Sequence, residues 1–386
     1  MNPIENPYRP GAGTKPVFLA GRDEIISKAD TLIKRVKIGN PQRSLMLYGL
    51  RGVGKTVLLN KISELAETEN YIVEQIEMSE NDDFRKVIAG FIRKILLKIN
   101  RIENAKEKLL KALGVFKAFS ISMPDGPEFK IDVDAISGEA DSGDFESDLT
   151  DLFVNIGQAA KEEGKCVCIL IDETQYLKEK DMAALIASCH KISQKELPLV
   201  VVCAGLPSIA ALSGDAKSYA ERLFEFIPIK YLESPQDALA ITEPAKKKNV
   251  TYESDAVLEF IKVTRGYPYF IQELGKHTWD LAHSSPITVD DVKNATATTL
   301  KELDNSFFKV RLDRAAGREK RLMYGMAELG QGPYLMADVA KKVGIKVSSL
   351  SPTRATLISK GFIYTPEFGY IDFTVPLFDD FLRRNK

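Results

Sequence analysis

The chain has 386 residues, of which 44% are hydrophobic and 28% charged, and its formal net charge is −1. This is the composition of an ordinary globular protein, and its charge balance excludes a chain that attracts nucleic acid over its whole surface. No apolar run reaches membrane-spanning length and the N-terminus has no signal-peptide layout, so we expect no membrane contact and a cytoplasmic location. The length predicts two or three domains.

The four cysteines give no sign of a metal site. Cys166 and Cys168 lie in one apolar run, Cys189 in a predicted helix and Cys203 in another apolar run. A structural metal site would need cysteines and histidines clustered at short loop spacings. We therefore expect four buried, unliganded side chains.

The first 50 residues predict an extended arm, a helix and a strand. Residues 1–20 contain four prolines and predict the arm. Asp23 and Glu24 suit the first turn of the following helix, which has an apolar face. Residues 44–48 form a short apolar run that predicts a buried strand.

A glycine-rich octet follows this strand and precedes a run with helical spacing. The octet is Gly49-Leu50-Arg51-Gly52-Val53-Gly54-Lys55-Thr56. It has the G-x-x-x-x-G-K-[ST] pattern of the Walker A phosphate loop, in the strand–loop–helix context that gives the pattern meaning. The sequence therefore predicts a nucleoside triphosphate site.

Each residue type in the octet suits this chemistry. Glycines let backbone N–H groups, including that of Val57, approach the phosphate oxygens at the start of a helix. Lys55 places a positive charge on the β- and γ-phosphates, and the Thr56 hydroxyl is a ligand for Mg²⁺. The N-terminal arm and its helix either cover the adenine of this nucleotide or pack as ordinary structure, and the sequence leaves both open.

The next segment predicts a second strand, a helix and an insertion. Residues 71–77 predict the strand, and apolar residues from 87 to 99 form one helical stripe. Residues 119–122 and 129–133 alternate with period two around a turn and predict a hairpin near 118–134. Six acids between 139 and 151 suggest either a metal or basic-partner site or a solvated helix start, and we favour the solvated start.

A second strand-end motif begins at Cys166. The fully apolar run 166–171 ends in Asp172-Glu173, which is typical of a Walker B strand buried on both faces. Asp172 is then expected to hold the Mg²⁺ shell, and Glu173 to polarise the attacking water. A further apolar run at 199–205 completes an α/β pattern that predicts a doubly wound parallel sheet.

The remainder of the chain predicts two smaller parts. Residues 233–312 are mainly helical, with Gly266-Tyr267-Pro268-Tyr269 between two helices. Residues 313–386 predict three helices and a hairpin, the pattern of a winged helix-turn-helix.

Taken together, these motifs resemble the AAA+ ATPases of the origin-recognition initiator type. The resemblance rests on Gly21-Arg22-Asp23-Glu24, the phosphate loop, Ile171-Asp172-Glu173, a helical lid and a C-terminal winged helix. It is closer still to bacterial ATP-binding proteins with an origin-recognition-like ATPase domain. It implies an arm at 1–20, a P-loop ATPase core at 21–232, a lid with a connecting helix at 233–312, and a winged helix domain at 313–386.

The resemblance also implies roles for single residues. Lys55, Thr56, Asp172 and Glu173 take the Walker A and Walker B roles, and Arg222 stands where such proteins place an arginine finger. The alternative for Arg222 is a surface side chain paired with Glu221 or Glu225.

Two positions depart from the family pattern. The sensor position after the fourth strand falls in Cys203-Ala204-Gly205, where a polar residue is usual, and Tyr269 replaces the lid arginine. Gly266-x-Pro268 is instead similar to the switch-like STAND ATPases, which suggests that Pro268 contacts the nucleotide and that hydrolysis is slow.

Two functions remain open for the C-terminal part. Residues 315–386 carry eleven lysines and arginines against seven acids, a balance of +4, and the third helix offers Arg354 with serines and threonines for contacts to double-stranded DNA. We slightly favour a slow ATPase switch coupled to DNA. The alternative is a signalling or assembly ATPase whose winged helix contacts a protein, either another copy of the chain or a different partner.

Overall fold

The computed structural model describes residues 1–100, 107–122 and 133–386. The chain forms two compact units. The core unit comprises Asp23–Gly49 and Lys55–Pro228, and the second unit comprises Met1–Arg22, Leu50–Gly54 and Ile229–Lys386. The predicted phosphate loop therefore contributes residues to both units.

The core unit is an α/β domain. Its elements are α1 (Asp23–Lys37), β1 (Ser44–Tyr48), α2 (Lys55–Thr68), β2 (Tyr71–Glu77), α3 (Phe84–Asn100), α4 (Glu107–Ser122), α5 (Phe145–Glu162), β3 (Cys166–Asp172), α6 (Glu179–Gln194), β4 (Leu199–Gly205), α7 (Ser208–Ala216), α8 (Ala220–Leu223) and β5 (Phe224–Pro228).

Its five strands form one parallel sheet in the order β2-β3-β4-β1-β5. Every residue of β3 and β4 is buried, which explains why these strands are continuous apolar runs rather than alternating ones. The predicted α/β fold with a parallel sheet is confirmed. All four cysteines are buried, as expected.

The predicted hairpin is wrong in its first half. Residues 119–122 form the last turn of α4, which buries Leu113, Phe116 and Phe119. These residues recur at intervals of three, so a helix buries all of them on one face. This helical pattern outweighs the short period-two alternation at 119–122. The segment 129–132 lies outside the described residues.

The acidic stretch contains a helix start, as favoured, but Asp148 within it is buried rather than solvated and pairs with Arg85 at 3.2 Å. Asp144 is the N-cap of α5 and its carboxylate accepts a hydrogen bond from the Ser147 N–H at 3.1 Å. Among the residues that the structure describes, no group of three or more His, Cys, Asp or Glu side chains could hold a metal ion.

The first half of the second unit is helical. It contains α9 (Gln236–Lys246), α10 (Ser254–Thr264), α11 (Pro268–Leu281), α12 (Val289–Glu302), a π-helical stretch (Leu303–Phe308) and α13 (Lys309–Asp313). The N-terminal arm packs into this helical core through Tyr8 and Ala20. Gly275 is required there, since a Cβ at this position would lie 2.4 Å from the Tyr8 ring. Packing thus accounts for the buried residues of the arm.

The second half, residues 313–386, is called here the C-terminal segment. Its elements are α14 (Gly317–Ala327), β6 (Tyr334–Leu335), α15 (Met336–Val343), α16 (Val347–Ser359), β7 (Ile363–Tyr364), β8 (Tyr370–Phe373) and α17 (Phe378–Arg384). The three expected helices and the hairpin are present, and the antiparallel order is β6-β8-β7. Over the described parts of the chain, no helix has the length and apolarity needed to cross a membrane.

Candidate nucleotide-binding site

Lys55 and Thr56 open α2 in the core unit, directly after the loop. The buried Lys55 ammonium donates to the Gly49 carbonyl at 3.0 Å, so its charge stays beside the loop backbone. The Thr56 hydroxyl donates to Asp172 Oδ2 at 2.6 Å. This bond joins the start of α2 to the end of β3, and it brings the two predicted magnesium ligands together.

Asp172 is 2% exposed at the carboxyl end of β3. Burial raises the pKa of its carboxyl group, while the Thr56 hydroxyl and the Glu173 N–H stabilise the ionised form. A positive charge at this place would offset the cost of burying the carboxylate. Hydroxyl and carboxylate oxygens are ligands that Mg²⁺ accepts, with phosphate oxygens and water completing its shell. The residues present therefore fit a magnesium-bound nucleotide.

Glu173 follows in the left-handed region, with φ of +51°. Its N–H donates to Asp172 Oδ1 at 2.8 Å, which turns the backbone sharply at the end of β3. The Glu173 side chain is half-buried and its carboxylate accepts a hydrogen bond from the Gln175 amide. Lys55 and Thr56 thus lie at the start of α2, and Asp172 and Glu173 lie at the carboxyl end of β3.

The loop residues 50–54 have their own contacts within the second unit. The Tyr267 hydroxyl donates to the Arg51 carbonyl at 2.7 Å, and the Arg51 N–H donates to the Thr374 carbonyl at 3.3 Å. Arg22 is 7% exposed and its guanidinium donates to the Val53 carbonyl at 3.2 Å. Both loop carbonyls are therefore satisfied by side chains from distant parts of the sequence.

Gly52 and Gly54 share one conformational constraint, and Gly52 has a second constraint from its surroundings. Both lie at positive φ, +74° and +98°, where other residues are strained. A Cβ on Gly52 would also lie 2.1 Å from the Tyr267 hydroxyl oxygen, whereas a Cβ on Gly54 would meet no atom within 4 Å. Glycine is thus required at position 52 both by its positive φ and by the close approach of the Tyr267 side chain.

Two predicted residues stand apart from these contacts. Arg222 in α8 is exposed and forms no ion pair with any described residue. Glu225, one of its suggested partners, instead pairs with Lys28 at 2.8 Å. Pro268 is the first residue of α11 in the second unit.

No sequence pattern predicted a role for Tyr267, Arg22 or Gln175. Tyr267 lies within the Gly266-x-Pro268 motif, Arg22 within the Gly-Arg-Asp-Glu run, and Gln175 two residues after Glu173. Their closeness in sequence to these motifs could have marked them as candidate site residues. Their hydrogen-bond partners, however, are determined only by the fold.

A doubly wound parallel sheet, a phosphate loop and strand-end acids define a P-loop ATPase. Residues 19–202 match the family model described as the AAA ATPase domain, so the chain contains an AAA ATPase domain. Residues 305–382 match a domain of unknown function, DUF8462.

A solved structure with a TM-score above 0.5 shows a similar fold. The chain is similar to a Walker-type ATPase of Pyrococcus abyssi at 15% identity and a TM-score of 0.60, over 97% of this chain and 98% of that one. Weaker similarities include the Thermotoga maritima RuvB Holliday junction branch migration motor (16%, TM-score 0.46, 91% and 92% covered) and the Aeropyrum pernix ORC1 protein in complex with DNA (13%, TM-score 0.47, 96% and 94% covered). No curated protein matches the chain.

Proposed function

We propose that the protein binds ATP with Mg²⁺ and hydrolyses it slowly. The observation that carries the proposal is the Thr56–Asp172 hydrogen bond of 2.6 Å beside the Lys55 ammonium. Lys55 binds the β- and γ-phosphates, Thr56 and Asp172 hold the Mg²⁺ shell, and Glu173 takes the proton of the attacking water. In this proposal the loop residues from Gly49 to Val57 surround the phosphates.

We further propose that hydrolysis acts as a conformational switch. Support comes from the apolar end of β4 at Cys203-Ala204-Gly205 and from Tyr269 in place of a lid arginine. The first position lacks a polar group and the second lacks a positive charge, and both kinds of group would speed phosphoryl transfer. Pro268 of the Gly-x-Pro motif contacts the bound nucleotide in this proposal.

The first test is nucleotide binding by calorimetry. Lys55→Ala should weaken ATP affinity on the order of 100-fold, because a charge-assisted contact to phosphate is worth about 3 kcal/mol. Lys61→Ala, which removes a lysine of α2 paired with Glu64, is the matched control and should bind ATP like the parent. Equal affinity of Lys55→Ala and parent would overturn the phosphate-loop assignment.

Arg222 is proposed to act as an arginine finger on a neighbouring copy. Its exposure and its lack of an ion pair among the described residues support this role. Turnover per subunit should then rise with protein concentration and fall in Arg222→Ala at unchanged ATP affinity. Mixing Arg222→Ala with Glu173→Gln protein should restore part of the turnover. Parental turnover of Arg222→Ala at every concentration would end the proposal.

We propose that the C-terminal segment is a winged helix that contacts double-stranded DNA. Its support is the order of three helices and a hairpin, with Lys341 and Lys346 exposed and without an ion pair to any described residue. Duplex affinity should then fall with added salt as phosphate contacts release counterions. Lys346→Ala should weaken binding and leave ATP hydrolysis intact.

A second candidate, protein binding, also has specific support. Several basic side chains of the segment are neutralised by carboxylates: Lys320 by Asp313, Lys342 and Lys386 by Glu328, Lys360 by Glu319, Arg383 by Asp379 and Asp380, and Arg384 by Asp304. Phe368 at the hairpin turn is fully exposed, and Glu367 precedes it. No duplex binding at low salt with ATP present would favour this protein-contact role.

A further inference from the structure

Gln175 bridges the proposed catalytic base and the end of the neighbouring strand. It lies in the short 3-10 helix Thr174–Tyr176 that follows β3. Its amide nitrogen donates to the Glu173 carboxylate, and its amide oxygen accepts the Leu206 N–H at 2.9 Å. One side chain thus joins Glu173 to the residue that follows β4.

The chemistry of the two partners fixes the orientation of this amide. The Leu206 N–H is a donor only, so it must face the amide oxygen. The amide N–H₂ then points to Glu173, whose ionised carboxylate is an acceptor only. In the reversed orientation, the amide N–H₂ would face the Leu206 N–H, which is also a donor. The amide oxygen would face the Glu173 carboxylate, which is also an acceptor.

The surrounding backbone holds this bridge in place. The Thr174 hydroxyl lies 3.0 Å from the Ile171 carbonyl and 2.9 Å from the Ala204 carbonyl, which ties the turn to both β3 and β4. A Cβ on Gly205 would lie 2.7 Å from the Gln175 amide oxygen. The glycine that ends β4 therefore leaves the space that the amide occupies.

We infer that Gln175 is the positioning residue of Glu173 and takes the place of the polar side chain that is absent from the end of β4. The inference rests on the proposed role of Glu173 as the base. Its physical basis is that a base must be held close to one geometry, and that displacement by about 1 Å costs up to 100-fold in rate. Gln175 restrains the Glu173 carboxylate through a hydrogen bond to one of its oxygens.

Two substitutions separate this role from ordinary packing. Gln175→Met keeps the length of the side chain and removes both hydrogen bonds. Gln175→Glu keeps the acceptor for the Leu206 N–H but places a carboxylate against that of Glu173. We expect kcat to fall on the order of 10-fold or more in both variants, with KM and ATP affinity within about threefold of the parent.

Hydrogen exchange of the Leu206 amide supplies a readout that does not depend on turnover. Exchange should accelerate in Gln175→Met, which lacks the acceptor, and stay slow in Gln175→Glu. Gln194→Met, which changes an exposed glutamine of α6, is the control and should match the parent in every measurement.

The outcomes distinguish this inference from the proposed function. Parental kcat in Gln175→Met, or faster turnover in it, would overturn the positioning role. If Gln175→Glu keeps the parental kcat and only Gln175→Met loses activity, Gln175 acts only as a structural link to Leu206. This result would also overturn the positioning role. A parent that binds but does not hydrolyse ATP would instead overturn the ATPase proposal, and with it the inference.

Discussion

The two parts of the phosphate loop are held by different kinds of contact. Lys55 and Thr56 are held through their own side chains, which bond to Gly49 and Asp172. Arg51 and Val53 are held through their backbone carbonyls, which accept from Tyr267 and Arg22. The first part uses charge and hydroxyl chemistry, and the second uses backbone geometry.

The difference explains what a motif reveals. A side chain that touches phosphate or magnesium must be of one type, so it is visible in the sequence pattern. A backbone carbonyl accepts a hydrogen bond from any donor that the fold brings near, so the identity of its partner is not visible in the sequence pattern. The Tyr267 hydroxyl reaches the Arg51 carbonyl across 216 positions of sequence. Substitutions at Glu173, Gly52, Gly54 and Tyr267 test this division.

The largest effect is expected at Glu173. Glu173→Gln cannot accept the proton of the attacking water, so kcat should fall by about 10²- to 10⁴-fold. ATP affinity should stay within about threefold, since the amide keeps the size of the side chain. Steady-state hydrolysis measures kcat, and calorimetry measures ATP affinity. A parallel loss of ATP affinity would place Glu173 among the binding residues instead.

Gly52→Ala should act next most strongly. It combines strain at φ of +74° with a Cβ placed 2.1 Å from the Tyr267 hydroxyl oxygen, and ATP affinity should drop on the order of 10-fold or more. Adding Tyr267→Leu should recover part of the affinity by removing the clash.

Gly54→Ala provides the matched comparison for that pair. Its φ is +98° but its Cβ would enter open space, so Tyr267→Leu should not rescue it. Equal rescue of both glycine variants would mean that Tyr267 acts on the loop without contacting Gly52.

Tyr267→Phe removes one hydroxyl and leaves the Arg51 carbonyl without that donor. Burial raises the pKa of Tyr267, so the hydroxyl stays protonated as a donor. Loss of the bond costs about 1 kcal/mol, and ATP affinity should fall by about fivefold. Tyr269→Phe loses a hydroxyl bonded to Glu273 at 2.7 Å and should leave affinity unchanged. If the two variants bind ATP equally, the Tyr267 bond has no part in shaping the loop.

The smallest effect concerns a second strand carboxylate, the half-buried Asp372 of β8. Asp172 has the Thr56 hydroxyl as a side-chain donor, whereas Asp372 has the Phe373 N–H and the nearby Asp379 charge. Burial raises the pKa of Asp372 to about 6. The folded state then binds this proton more tightly than the unfolded state, so stability falls as pH rises from about 4 to about 6 and stays lower above.

Asp372→Asn should therefore raise the free energy of unfolding by about 1 kcal/mol at pH 8 and change it little near pH 4. Urea unfolding at both pH values measures this. Asp338→Asn, at an exposed position, should show no such pH-dependent gain. A stability gain of equal size at both pH values would contradict the burial of an ionised carboxylate.

The sequence by itself determined the chemistry of the core. The glycines, Lys55 and Thr56 form the pattern of a phosphate loop, and the Asp172-Glu173 pair ends a run whose apolar character follows from burial on both faces. The α/β alternation and the helices and hairpin of the C-terminal segment were also readable, because amphipathic periodicity is a local property.

Only the tertiary structure decided which groups hold those residues in place. It assigned Tyr267, Arg22 and Thr374 to the loop backbone and Gln175 to Glu173, and it turned residues 119–122 from a predicted strand into the end of α4. It also showed that much of the basic charge of residues 315–386 is neutralised by carboxylates. The physical reason is common to these cases: hydrogen bonds, ion pairs and core packing depend on distance in space, and a local pattern carries no record of which distant residues the fold brings near.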